Sequence, residues 1–358
     1  MKRFSPLKEH LEVALRRTMQ AAVVGGLVLA AAVPIDSHAQ AKVLNLYSAR
    51  HYQTDEALYA DFTKQTGIKI NRIELGDEQL LQRLRTEGAA SPADVVLLVD
   101  AARLWRAQVD GLFQPVQSKV LNERIPPNLR SNDGTWFGFS SRARVIVYDK
   151  ARVKTEDVDT YEELADPKNK GKVCTRSGSH PYMLSLIGSL IERLGEAKTE
   201  EWARGMVANM ARPPRGGDTD QIKGVASGEC GVALTNSYYW VRLVRSADPK
   251  DQDVVSKVAF VWPNQATTGT HMNISGGGVA KNAPHKENAV AFLEYLTSPK
   301  AQAYFASGNN EWPVVKGAVS DNPALAALGT PKMENVPIST IGKNQIAAQR
   351  ILDRVGYR

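Results

Sequence analysis

From Val43 onward, short apolar runs alternate with amphipathic stretches, the pattern of a βαβ series. The spacing predicts strands over Val43–Ser48, Ile68–Ile73 and Ala93–Val99, and a helix over Thr54–Gln65 that ends at Gly67. In the middle of the chain it predicts strands over Val145–Tyr148, Lys172–Thr175, Gly231–Thr235 and Val258–Trp262. Helices are expected over Tyr182–Leu194, Thr199–Met210 and Tyr238–Arg245. A last strand, Ile274–Ala280, precedes a helix over Lys286–Leu296 that starts after Pro284. The class is therefore α/β, arranged as lobes. No internal repeat or low-complexity tract interrupts the series, and Trp136–Ser140 and Asn310–Val315 stand out as hinge candidates.

At 358 residues the chain is long enough for two domains of about 100 to 200 residues each. Its 43% hydrophobic and 23% charged residues exclude a disordered or fibrous chain. The first forty residues differ in kind from the rest. Arg16 and Arg17 precede an apolar run from Ala21 to Pro34, too short for a membrane span and suited to the core of a signal peptide, with cleavage after Ala39 or Ala41. The Arg-Arg pair with Thr18 and Met19 resembles a twin-arginine signal but lacks the usual Phe-Leu, so the export route stays open. No cysteine lies near the cleavage point, which argues against a lipid anchor and places the mature chain free in the periplasm.

That leader carries five Lys or Arg against three Asp or Glu, so its removal lowers the formal charge from +7 to +5. Without Lys/Arg blocks, this excludes a nucleic-acid footprint and agrees only weakly with an anionic or anion-assisted ligand. Cys174 and Cys230 are the only cysteines, and an even count in an oxidising compartment predicts one disulfide. A thiolate metal site would need more sulfur or nearby histidines. Metalloprotease, zinc-finger, P-loop and dinucleotide fingerprints are lacking, and Gly276–Gly278 reads as a bulge or close-packing site before a phosphate cradle.

Tyrosines recur where a strand hands over to a helix, the part of an open α/β sheet where ligands bind. His51 and Tyr52 follow the first strand, with Thr54 as expected N-cap and Asp55 and Glu56 in the first turn. Tyr182 lies in the first turn of a helix that Pro181 opens. Tyr238 and Tyr239 open a third helix, with Asn236 or Ser237 as expected cap. Tyr47 and Tyr148, inside strands, read instead as packing residues.

A phenol has a pKa of about 10 and ionises at neutral pH only beside a strong positive charge. A hard trivalent cation supplies one, and a helix N-terminus adds to it. Four phenolates on Fe³⁺ leave one excess negative charge, and Arg142 is the candidate to balance it. The same tyrosines also suit a sugar-stacking platform. A polyamine site would need carboxylates, which these positions lack. An exported hydrolase using Ser179 and His180 is the rival from another class, but no nucleophile elbow surrounds Ser179.

The segments Leu46-Tyr47-Ser48-Ala49-Arg50-His51-Tyr52, Ser140-Ser141-Arg142-Ala143-Arg144-Val145, Thr235-Asn236-Ser237-Tyr238-Tyr239 and Asn310-Glu311-Trp312-Pro313-Val314 resemble the ferric iron-binding family of periplasmic binding proteins, especially its FutA branch. The resemblance spans the mature chain. It implies a type 2 periplasmic binding protein fold of two lobes, each a mixed sheet flanked by helices, with hinge crossovers near 137–140, Asn273 and Pro313. The leader then covers 1–39, the N-terminal lobe 40–138 plus 274–312, and the C-terminal lobe 139–273 plus 313–358.

It further implies Fe(III) as transported ligand, held by His51, Tyr52, Tyr182, Tyr238 and Tyr239, with Arg142 beside the metal or its anion. His180 competes as a nitrogen ligand but is expected to face away beside Pro181. Having both His51 and Tyr52 suggests that carbonate is not required. Trp312 stands where the family motif has Tyr. The implied partners are an inner-membrane ABC permease and its ATPase. The chain itself is expected to be a monomer, outside the membrane and not an enzyme.

Overall fold

The computed structural model describes residues 42–50 and 52–358, so the predicted leader and His51 lie outside the described residues. The described strands are β1 (Val43–Ser48), β2 (Lys69–Glu74), β3 (Val95–Leu98), β4 (Phe113–Gln114), β5 (Phe137–Asp149), β6 (Val173–Cys174), β7 (Val232–Asn236), β8 (Val258–Val261), β9 (Met272–Ala280) and β10 (Trp312–Pro313). They run in the order β2-β1-β3-β9-β5-β7-β6, with β4 on β9 and both β8 and β10 on β5. Neighbours β2, β1 and β3 are parallel, as predicted for βα units, whereas β9 is antiparallel to β3.

The prediction over Val145–Tyr148 found only the end of β5, a 13-residue strand starting at Phe137. The missed part contains Ser140, Ser141, Arg142 and Arg144, a polar run that reads as loop, yet all four are buried. Each finds a partner inside the protein. Ser140 Oγ donates to Glu311 Oε2 at 2.6 Å, Arg142 Nη1 to Ser275 Oγ at 2.8 Å, and Arg144 Nη1 to Asp218 Oδ2 at 2.6 Å. Paired this way, polar residues occupy a central strand with most of their groups satisfied, although Arg142 Nε, Arg144 Nε and Glu311 Oε1 are buried without a hydrogen-bond partner.

The first half of β5 pairs with β9 and its second half with β7 and β8, so one strand passes from one lobe into the other. Each lobe has its own core. Leu44, Leu46, Phe62, Val95, Phe137 and Phe292 pack together in the first, and Ile146, Tyr161, Leu186, Trp202, Val232 and Ile351 in the second. The fold is the two-lobed mixed α/β type that the resemblance implied. The short helix Ile338–Lys343 packs against Ala101–Val109 on one side and Pro181–Leu194 on the other. Among the described residues no helix is long and apolar enough to cross a membrane.

Gly276–Gly278 is a close-packing site. A Cβ at Gly276, Gly277 or Gly278 would lie 2.4, 2.4 or 2.1 Å from the carbonyl oxygen of Phe137, Val96 or Thr135 respectively. Tyr47 and Tyr148 pack as expected, with their hydroxyls 2.9 Å from Glu87 Oε1 and 2.5 Å from Thr155 Oγ1.

Cys174 and Cys230 form the predicted disulfide, with Cα atoms 5.8 Å apart and 56 positions separating them in sequence. It joins the two-residue strand β6 to the turn before β7. A strand this short has little ladder to hold it, so the covalent link should contribute measurably to stability. Replacing both cysteines by Ala is expected to cost about 2–5 kcal/mol in urea unfolding. An unchanged midpoint in the double variant would contradict this.

Candidate functional site

Three strand ends converge on one cluster of tyrosines. Tyr52 follows β1 and precedes helix Asp55–Thr66; Tyr182 is the second residue of Pro181–Leu194; Tyr238 and Tyr239 are the second and third of Ser237–Val244, directly after β7. The Tyr182 and Tyr238 hydroxyls are 3.0 Å apart. The Tyr52 ring stands edge-on to Tyr238 with centroids 6.2 Å apart, and Tyr239 lies against Tyr238 at 4.2 Å. Tyr182 and Tyr238 are buried, at 8% and 4% exposure.

The local reasons for these placements differ in part from expectation. Pro181 opens its helix as predicted, but the cap is His180, whose Nδ1 accepts from the Tyr182 N–H at 3.2 Å. Thr54 is not a side-chain cap, since its hydroxyl turns to Asn309 Oδ1. Asn236 stands at the N-cap of the third helix, as expected, but makes no side-chain cap bond. Asn236 Oδ1 accepts from Arg144 Nη1 at 3.1 Å, and Ser237 Oγ accepts from the Ala143 N–H at 3.2 Å. These two residues therefore anchor the Tyr238–Tyr239 turn to β5.

Four arginines flank the cluster, three of them buried and Arg176 partly exposed. The guanidinium carbons of Arg176, Arg142 and Arg144 lie 5.0, 5.7 and 6.0 Å from the Tyr182 ring centre, and that of Arg50 lies 4.9 Å from Tyr52. Arg142, fully buried, donates to Ser275 Oγ and to the Val99 carbonyl, and its Nη1 is 4.0 Å from Glu311 Oε1. Arg50 bonds Asp55 at 2.8 Å and faces Glu311 at 3.5 Å. Sequence reasoning singled out Arg142 alone. Arg50, Arg144 and Glu311 stood in the quoted motifs without a role, while Arg176 and Asp218 gave no signal.

Burial is the largest influence on the phenols of Tyr52, Tyr182 and Tyr238, and it raises each well above its ordinary pKa. Glu311 pushes Tyr52 further up, while Arg50 and Arg142 oppose that. Arg142 likewise works to lower Tyr182 and Tyr238. Tyr52, Tyr182 and Tyr238 thus stand as neutral phenols that a strong positive charge could ionise. Among the described residues no three His, Cys, Asp or Glu side chains gather closely enough to hold a metal ion.

The His180 ring packs edge-on to Tyr182, with ring centres 4.4 Å apart. Burial, then Arg176, Arg144 and Arg103, lower its pKa to about 2, and its Nδ1 lone pair is engaged by the backbone. In that neutral tautomer Nε2 carries the proton. Ser179 Oγ pairs with Ser177 Oγ at 2.8 Å rather than with His180, which removes the nucleophile–base contact that a hydrolase would need.

The profile of a bacterial extracellular solute-binding protein matches residues 57–330. Iron uptake protein A1 of Synechocystis is 50% identical over 323 residues, covering 90% of this chain and 89% of that one. Iron uptake protein A2 of the same organism is 49% identical over 341 residues, covering 94% and 97%. The structure of Trichodesmium FutA (IdiA), in complex with iron and citrate ligands, superposes with a TM-score of 0.84 at 53% identity, over 88% of this chain and all of that one. By this extent of similarity, the chain belongs to the family of bacterial extracellular solute-binding proteins.

Proposed function

We propose that this protein captures ferric iron between its lobes through tyrosinate and histidine ligands and delivers it to an ABC importer. The observation that carries the reading is the buried convergence of phenols from three separate strand ends, with the Tyr182 and Tyr238 hydroxyls 3.0 Å apart beneath a ring of arginines. The donor set fits a hard cation, which binds oxygen in preference to softer atoms. Half-identical relatives named as iron uptake proteins support the same cargo.

In this reading the ligands are His51, Tyr52, Tyr182, Tyr238 and Tyr239. The first two belong to an N-terminal lobe of 40–138 plus 274–312, the others to a C-terminal lobe of 139–273 plus 313–358. The ion joins the halves and shifts the population toward the closed form. Arg142 offsets the extra negative charge of a fourth phenolate. Two of its nitrogens already have protein acceptors, which supports coordination without carbonate. The protein works in the periplasm after loss of its leader, as a monomer and without catalysis, and presents the closed form to a membrane permease and its ATPase.

Removing one ligand oxygen while keeping the ring tests the donor set. Tyr238→Phe and Tyr239→Phe are each expected to lower ferric affinity by at least about tenfold, measured by competition with citrate, with the fold retained by circular dichroism. Wild-type affinity in both variants would remove these residues from the set. Proton linkage gives a second test. Because burial keeps the phenols protonated in the ion-free protein, ferric binding must release their protons, and acid must compete with the metal. Affinity corrected for chelator protonation should fall as pH falls, about tenfold per pH unit for each proton released. A flat profile from neutral to mildly acid pH would contradict phenolate ligation.

A further inference from the structure

Asp218 is the first residue of helix Asp218–Ala226 and is fully buried. Its Oδ2 accepts from Arg144 Nη1 at 2.6 Å and from the Asn236 N–H at 2.7 Å, and its Oδ1 from Arg176 Nη1 at 3.4 Å. The three donors belong to three different segments. Arg144 lies on β5, Arg176 on the loop that leads into Tyr182, and Asn236 immediately before Ser237-Tyr238-Tyr239. Arg144 tightens the junction by also donating to Asn236 Oδ1 at 3.1 Å and to the Leu234 carbonyl at 3.4 Å.

Carrying a carboxylate and guanidiniums out of water costs several kcal/mol per ion, so such a group adds little stability unless its geometry is fully used. Here the geometry is used to tie together the tyrosine-bearing segments. The two guanidiniums that Asp218 holds are also two of the three that face the Tyr182 ring. One carboxylate therefore fixes both where Tyr182 stands relative to the Tyr238–Tyr239 turn and where the neighbouring cations stand relative to Tyr182.

We infer that Asp218 is a positioning residue for metal binding: it sets the separation of Tyr182 from Tyr238 and Tyr239 through Arg144, Arg176 and the Asn236 N–H. The inference rests on the ferric tyrosinate reading above. It assigns Asp218 no bond to the ion. Groups that orient metal ligands in this way change affinity by about 10–100-fold when altered, although they never touch the metal. Asn at this position keeps the shape but turns one oxygen into an amide nitrogen that faces donors, so at least one of the three arms must let go.

The test compares wild type, Asp218→Asn and Asp220→Asn, each loaded with ferric citrate. Asp220 is the control because it lies in the same first turn and accepts from the Gly217 N–H at 2.7 Å, so its loss weakens the helix start alone. Asp218→Asn is expected to lower ferric affinity about 10–100-fold and to shift or weaken the tyrosinate-to-iron absorption band per bound ion. Asp220→Asn should leave both at wild-type values whatever it does to stability. If Asp218→Asn does not fold, Arg176→Gln removes the arm nearest Tyr182 and should also lower affinity and move the band. Wild-type affinity and band in whichever of these folds would overturn the inference. A wild-type protein that shows no such band would instead overturn the tyrosinate reading itself.

Discussion

Two guanidiniums buried on one strand, Arg142 and Arg144 of β5, impose the constraint that organises this molecule. A charge removed from water must be met by an opposite charge or by acceptors, or the strand cannot lie where it does. Arg142 draws in Ser275, the Val99 carbonyl and, at longer range, Glu311. Arg144 draws in Asp218 and Asn236. The strand that crosses between the lobes thereby gathers the segment before Pro313 at one end and the tyrosine-bearing turns at the other. The tyrosine cluster is thus anchored to the strand that runs through both cores.

The tyrosines gain their chemistry from this setting more than from their identity. A phenol in water is a poor ligand at neutral pH, and burial alone makes it worse. The arginines around the cluster work in the opposite direction without overcoming burial, and in the proposed reading a strong cation tips the balance. On that proposal the site stays neutral between encounters and becomes a set of anionic donors on binding. Hard cations gain most from that exchange.

Much of this was legible in the sequence. The short strand runs and the punctuation at Gly67 and Pro181 located β1, β2, β3, β7 and the helices that carry the tyrosines, because those elements follow ordinary apolar periodicity. The cysteine count gave the disulfide. The first half of β5 and the side-chain caps escaped for one cause: polar residues doing interior work. The first half of β5 looked like a loop because its charges find partners far away in sequence, 74 positions for Arg144 and Asp218 and 171 for Ser140 and Glu311. Thr54 and Asn236 do stand at the N-cap positions, but the expected side-chain cap bonds are missing for the same reason, since tertiary partners claimed those side chains and that of Ser237. His51, which the resemblance made a ligand, lies outside the described residues, so its role rests on the motif alone.

The most direct test of the account is the visible absorption spectrum of the purified mature protein, taken before and after addition of chelated ferric iron, with bound iron counted by elemental analysis. Phenolate coordinated to Fe³⁺ predicts a broad visible band, orange to red in colour, that grows with iron and saturates at one ion per chain. A colourless protein with no bound iron would contradict the account and assign the tyrosine cluster to a different solute.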